Sequence, residues 1–300
     1  MTRRRGLRRT VLLLGGSDDP TIQAVERQLS NGRWQPVVVT PEILVDEIEP
    51  NDSIGPGPDV KFRWHRGTID LDWSDIRGVL NLLTLPLPLF QSRYEDEDAE
   101  YAWAEWNAYL AFVLGQLPNV INRPSTHGVA AGYRSLPFQW GVAKRFDPGI
   151  GVPRRWFGTW RQVQQWTAHL HNVVVTVNPY AYEWWMPGSP DGLSGDEPVL
   201  AYIRPSGTPV VVTVLDSYVV GYGVAPSALG TPWPPAVDQL VQGLSHALRA
   251  RLMQILLFFS ESSKTWTFGA ATPNFSLGGI AESERPRVIE RLADALTAPP

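Results

Sequence analysis

The sequence predicts an α/β fold that turns α+β in its C-terminal half, on three observations. A continuous apolar run, Thr10–Leu14, is followed by a Gly-rich turn and an amphipathic stretch with Ile22, Val25 and Leu29 on one face. Further short apolar strands then alternate with helical stretches up to about residue 120, as parallel sheets require. Beyond residue 173, runs rich in Val, Tyr and Phe follow one another closely, as antiparallel strands do.

Each element has a local reason. Gly15-Gly16-Ser17 turns the chain after the first strand, with Ser17 or Asp18 expected to cap the helix over residues 21–29. It matches neither a dinucleotide fingerprint nor a phosphate-binding loop. Val37-Val38-Val39, residues 60–64 and residues 77–82 supply three more strands. The longest helix is expected over residues 97–116, where Ala99, Trp103, Trp106, Leu110, Val113, Leu114 and Leu117 recur at helical spacing until Pro118 ends it. Its acidic lead-in, Glu95-Asp96-Glu97-Asp98, suits the positive end of the helix dipole.

After Asn122-Arg123-Pro124 comes a helix-like segment containing Arg134 and Phe138, with a break expected at Pro137. A helix over residues 160–170 follows. Strands are expected at 173–177, 199–203, 210–215 and 218–222, with a mobile Pro/Gly-rich loop at 186–195. The chain closes with a helix carrying Val237, Leu240, Val241, Leu244 and Leu248, a hairpin (252–259 and 265–270), the Pro273-Asn274 turn and a last helix with Val288, Leu292 and Leu296.

Composition narrows the function. With 300 residues and 43% hydrophobic content the chain can bury more than one core. It holds no cysteine, which removes thiolate metal sites and cysteine nucleophiles. A net charge of -4 gives no overall pull toward nucleic acid. The basic start, Arg3-Arg4-Arg5, precedes an apolar run that breaks at Gly15, too short for an export signal or membrane span. A cytoplasmic protein is expected, without nucleic-acid or membrane partners. His169 and His171 have no neighbouring carboxylate to complete a zinc site.

The collinear series "NRP", "GIGVPRRW", "VVVTVNP", "VLAYI", "VVVTVLDSYVVGY" and "LLFFSESSKTWTFGAATPN" resembles the ATP-grasp superfamily. In particular it is similar to the branch of ribosomal-peptide maturases, the graspetide synthetases. The resemblance spans nearly the whole chain. It implies a pre-ATP-grasp α/β domain at 1–122, a small lid subdomain at 123–197 and a large subdomain at 198–300.

What it implies for the cleft is unusual. Phosphoryl transfer needs magnesium on carboxylates and cationic donors around the phosphates. Where the family keeps its first lysine this chain has Arg134, which retains charge in another geometry. Its second lysine matches Asn178. The late Asp matches Leu257, the Glu-x-Asn matches Ala270-Ala271-Thr272, and an arginine opening a strand matches Val211. Tyr202, in "VLAYI", falls on the same cleft.

The resemblance therefore implies a catalytically degenerate protein, a pseudoenzyme with no catalytic residue, no bound metal and no cofactor, that takes a peptide or a partner maturation enzyme. Arg123, Asn274, Trp184 and Trp185 are its candidate binding residues, and homo-oligomers are a further expectation. The alternative is an active carboxylate-amine or carboxylate-alcohol ligase that uses ATP and magnesium through Arg134, Glu183 and Asp216. A third reading is an unrelated fold whose aromatic-rich region binds a ligand such as a saccharide.

Overall fold

A computed structural model describes residues 9–54, 60–61, 63–66, 69–125, 128–146, 149–177, 193–224, 229 and 233–299. The chain begins with β1 (Thr10–Leu14), wholly buried, and α1 (Pro20–Ser30). Asp19, rather than Ser17 or Asp18, caps α1 by accepting the Thr21 N–H at 2.7 Å, and Pro20 follows it at the first helical turn, where a missing N–H costs nothing. Next come β2 (Gln35–Val39) and α2 (Pro41–Asp46), a short helix capped by Thr40 that the apolar spacing did not signal.

A set of small strands follows: β3 (Glu49–Pro50), β4 (Ser53–Ile54), β5 (Val60–Lys61), β6 (Arg63–Arg66) and β7 (Ile69–Asp72). Residues 60–64 are thus not one strand of the main sheet. β5 pairs antiparallel with β4, while β6 joins β3 and β7. Trp64, fully buried, anchors this flap by T-stacking on Trp73 and donating to the Tyr109 hydroxyl at 2.8 Å.

β8 (Ile76–Asn81) returns to the main sheet, α3 (Leu87–Gln91) and α4 (Asp96–Gln116) follow, and β9 (Val120–Ile121) closes it. The order β2-β1-β8-β9 is parallel throughout. α4 buries Ala99, Leu110, Val113 and Leu114. Trp103 departs from the expected buried stripe: it is 38% exposed and donates its indole N–H to the Leu85 carbonyl at 2.7 Å. The acidic lead-in enters the first turn of α4, but Glu95 makes no side-chain capping bond.

α5 (Leu136–Ala143) begins at Ser135, so Pro137 lies in its first turn instead of breaking it, and Arg134 precedes the helix. A three-stranded sheet is built from β10 (Arg155–Thr159), β11 (Val173–Thr176) and β12 (Pro198–Ile203), with α6 (Trp160–Thr167) crossing between the first two. β12 is its central strand, so this sheet draws on residues on both sides of position 197. A four-stranded antiparallel sheet, β14-β13-β15-β16, follows from β13 (Thr208–Leu215), β14 (Tyr218–Tyr222), β15 (Leu252–Ser260) and β16 (Thr265–Thr272). Helices α7 (Pro235–Leu248) and α8 (Arg285–Thr297) complete the chain.

Two cores meet at the centre. One joins α5 and α7 to β13, β15, β16 and to Val174, Leu200 and Tyr202 of the three-stranded sheet. The other joins β1, α1 and α8 with Leu215 and Leu252 from the C-terminal sheet. β8 passes so near the end of α8 that a Cβ on Gly78 would meet the Leu296 carbonyl at 2.1 Å, which fixes glycine there. Among the described residues no helix is long and apolar enough to cross a membrane.

Candidate functional site

Strand alternation sorts the side chains of the C-terminal sheet onto two faces. Met253, Ile255, Leu257 and Phe259 of β15 point into the core under α5 and α7. Gln254 and Leu256 therefore point to the second face. Leu256 stands opposite Ala270 and Gln254 opposite Thr272, and an irregularity at Gly269 keeps these pairs in phase. This corrects the reading from hairpin length. Leu257 is fully buried on the helix-covered face, and Leu256 is the residue that shares a face with Ala270 and Thr272.

Helix α5 fixes the end of β16 in place. Trp140 donates its indole N–H to the Gly269 carbonyl at 2.7 Å, and the Gln139 amide oxygen accepts the Ala271 N–H at 2.7 Å. The same amide donates to the Arg134 carbonyl at 2.8 Å, tying the segment before α5 to the strand. Through this tie Tyr133 comes beside Thr272 and Asn274. Burial pushes the Tyr133 hydroxyl above its usual range, while its bonds to Thr272 and Asn274 oppose the rise. Arg134 extends over the ring of Phe138, its guanidinium carbon 5.3 Å from the ring centre.

A second polar structure lies just behind. Asn122 is fully buried, with a left-handed φ of 61° that asparagine tolerates. Its side chain accepts the Leu252 N–H at 2.9 Å and donates to the Pro273 carbonyl at 3.2 Å, joining the N-terminal sheet to both strands of the hairpin. Asn81 donates to the Asn122 carbonyl at 2.9 Å, and Asn119 donates to the last carbonyls of α8. The sequence reading missed these three asparagines. Their only sequence signal is a polar residue within or beside a short apolar strand run.

The candidate residues separate accordingly. Arg134 and Asn274 are brought to the same end of β16, where Asn274 is exposed and its N–H bonds the Thr272 hydroxyl, as in a tight turn. The Arg123 guanidinium bonds the carbonyls of Gly115, Leu117 and Pro118, satisfying the C-terminus of α4. Tyr202 is fully buried and T-stacked on Trp140 at 5.3 Å. Asn178, Glu183, Trp184 and Trp185 lie outside the described residues.

Asp216 sits at the β13–β14 turn, held by two bonds from Arg251 at 2.6 and 3.1 Å. Arg251 precedes Leu256 by five residues, roughly 17 Å along an antiparallel strand. His169 and His171 are both exposed.

Magnesium takes hard oxygen ligands, commonly carboxylates. Beside the Pro273 turn the second face offers Leu256, Ala270, the Thr272 and Thr213 hydroxyls and the Gln254 amide but no carboxylate, and this donor set does not fit the ion. Among the described residues no group of three or more His, Asp or Glu side chains is placed to hold a metal. Arg134 remains as a cation suited to an anionic group.

No protein-family model matches the chain, and no curated protein matches it. Its likeness is to solved structures. It is similar to the macrocyclase MdnC bound with precursor peptide MdnA from Microcystis aeruginosa, at 12% identity and a TM-score of 0.72 over 96% of this chain and 99% of that one. It is similar to a RiPP-associated ATP-grasp ligase of Chryseobacterium gregarium in complex with ADP, a leader and a core peptide, at 13% identity and a TM-score of 0.69 over 97% of each chain. The ATP-grasp ligase PsnB, complexed with precursor peptide PsnA2 and AMPPNP, matches at 17% identity and a TM-score of 0.65 over 97% and 98%. The chain therefore has the fold of these ATP-grasp ligases, which removes the reading based on an unrelated fold.

Proposed function

We propose that this ATP-grasp-fold chain serves peptide modification as a binding scaffold, taking a ribosomally made peptide or a partner maturation enzyme without transferring phosphate itself. The observation that carries the reading is the face of β15 and β16 beside the Pro273 turn. There Leu256, Ala270 and Thr272 share one face and bring no carboxylate, which magnesium-dependent phosphoryl transfer would call for. The similar structures support the peptide side, since several of them were determined with precursor peptides. Arg134 is the residue positioned to meet an acidic group of the peptide, with Asn274 and Tyr133 beside it as uncharged hydrogen-bonding partners.

The test is calorimetric titration of the purified protein with ATP, with and without magnesium, alongside an assay for released ADP. No magnesium-dependent binding and no ADP release are expected. ADP release at ordinary enzyme rates that disappears in Arg134→Ala would establish the active ligase instead.

A further inference from the structure

The three-stranded sheet turns two arginines onto one face. Arg155 of β10 stands directly opposite Tyr202 of β12, and Tyr202 is buried in the core under α5 and α7. Cross-strand partners share a face, so Arg155 points the same way as Tyr202. Its guanidinium carbon lies over the ring of Trp140, 5.5 Å from the ring centre. That ring is held by its bond to the Gly269 carbonyl and by its contact with Tyr202.

Arg204 follows Tyr202 by two residues. Its N–H bonds the Asn172 carbonyl at 2.9 Å, which carries the β11–β12 pairing one residue past the strand. Alternation then returns its side chain to the face of Tyr202 and Arg155. Diagonal neighbours on such a pair stand about 7–8 Å apart, within reach of long side chains. Phe157, the next residue of β10 on this face, is 67% exposed, so the face is open to solvent beside Arg155.

The donors of this pair are unspent. Arg204 Nη2 is buried without a hydrogen-bond partner, and among the described residues neither Arg155 nor Arg204 enters an ion pair. Arg93, Arg123 and Arg251 differ, since each bonds carboxylate or carbonyl oxygens through at least two guanidinium nitrogens. A buried guanidinium N–H left unbonded is destabilising, and two like charges on one face repel. One oxyanion between them removes both penalties, and the planar donors of arginine match the oxygens of carboxylate and phosphate.

We infer that Arg155 and Arg204 form an oxyanion site on the core-facing side of the three-stranded sheet, where their guanidiniums take one carboxylate or phosphate group between them. The site uses neither Arg134 nor Asn274, and so goes beyond the peptide contacts assigned to those residues. Arg154 supplies a control, because it lies on the opposite face, over the ring of Trp156 at 5.1 Å.

The test is calorimetric titration of the full-length chain at low ionic strength with inorganic phosphate and, separately, with succinate. At least one of them is expected to bind, Arg155→Met and Arg204→Met each to weaken that binding at least about tenfold, and Arg154→Met to keep it. Binding of phosphate alone assigns the site to a phosphate group. Binding of succinate alone assigns it to a carboxylate such as an acidic peptide side chain, and binding of both supports the shared chemistry. Urea unfolding gives a second readout, since methionine keeps an apolar stem in place. Without anion, Arg204→Met is expected to unfold at no lower urea than the unmodified chain; added anion should raise the midpoint of the unmodified chain and not that of Arg204→Met. Absence of binding by both anions overturns the inference, as does equal binding in Arg155→Met and Arg204→Met. A lower midpoint for anion-free Arg204→Met also overturns it, because the arginine would then be structural. Anion binding lost only in Arg134→Ala would place the anion with Arg134 instead. ADP release lost in Arg134→Ala with anion binding intact would overturn the scaffold reading and leave this site standing.

Discussion

The junction around Asn122 and the sheet face around Leu256 are near neighbours with opposite chemistry. At the junction the asparagines have defined partners: Asn81, Asn119 and Asn122 bond backbone groups of Asn122 itself, α8, β15 and the Pro273 turn. On the sheet face, reached through that same turn, Val211, Leu256 and Ala270 are apolar, and the polar side chains Thr213, Thr267, Thr272 and Gln254 carry no charge. Gln254 itself is engaged in bracing Ser276, to which it bonds at 2.8 and 3.3 Å. The polar groups here hold elements together. A buried amide with all its bonds made fixes one arrangement of the chain, whereas a reactive carboxylate needs a cation or water around it.

The largest expected effect separates the two faces of β15. Leu257→Asp puts an unpaired carboxylate into the core under α5 and α7, at a cost of more than about 4 kcal/mol, a large part of the stability of any domain. Leu256→Asp, on the half-buried face, is expected to cost about 1–2 kcal/mol and to fold. Urea unfolding followed by fluorescence distinguishes them, and equal destabilisation would break the assignment of faces.

Next in size is Asn122→Leu. It leaves the Leu252 N–H and the Pro273 carbonyl buried without partners, about 1–3 kcal/mol each, and adds about 1–2 kcal/mol for a branched residue at a left-handed φ. A loss of about 3–8 kcal/mol is expected, read as a lower denaturant midpoint at constant slope. A loss below 1 kcal/mol would show that the junction does not hold the two sheets together.

Smallest is Tyr133→Phe, expected to cost about 1 kcal/mol for the bonds to Thr272 and Asn274. Its pH signature is more specific. Burial raises the Tyr133 pKa in the folded protein, so the folded state holds a proton that the unfolded chain sheds near pH 10. Stability from this group is complete below that pH and is lost as pH rises through the folded value. The alkaline limb of stability against pH should therefore be shallower in Tyr133→Phe than in the unmodified chain.

Much of the fold was legible because its elements announce themselves locally. Thr10–Leu14 is a pure apolar run, α4 has a long helical stripe with an acidic start and a proline stop, and α7 and α8 show regular apolar spacing. The failures have physical causes. Residues 60–64 contain enough apolar residues to read as a sheet strand, yet the run is divided between two small sheets, and no local pattern signals that. Pro137 read as a break because proline is disruptive inside a helix, but it is favourable in the first turn, and only the position of Ser135 decides between them. Arg134 and Asn274 were singled out from sequence and lie at the same end of β16. Gln139 and Trp140, which tie α5 and the Arg134 carbonyl to β16, were not, because a glutamine and a tryptophan on a short helix carry no sign of what they touch.

The sequence by itself determined the class of fold, the order of its elements and the absence of carboxylates from the segments that lead into and out of the Pro273 turn, since these follow from periodicity and from residue identity. The tertiary structure alone decided which residues act together. It placed Leu256, not Leu257, beside Ala270, because an irregularity at Gly269 shifts the strand register. It assigned Arg123 to the end of α4 and Asp216 to Arg251, because long side chains take the nearest partner in space. Side-chain chemistry is written residue by residue, but contact between residues as far apart as Asn122 and Pro273 exists only once the sheets have met.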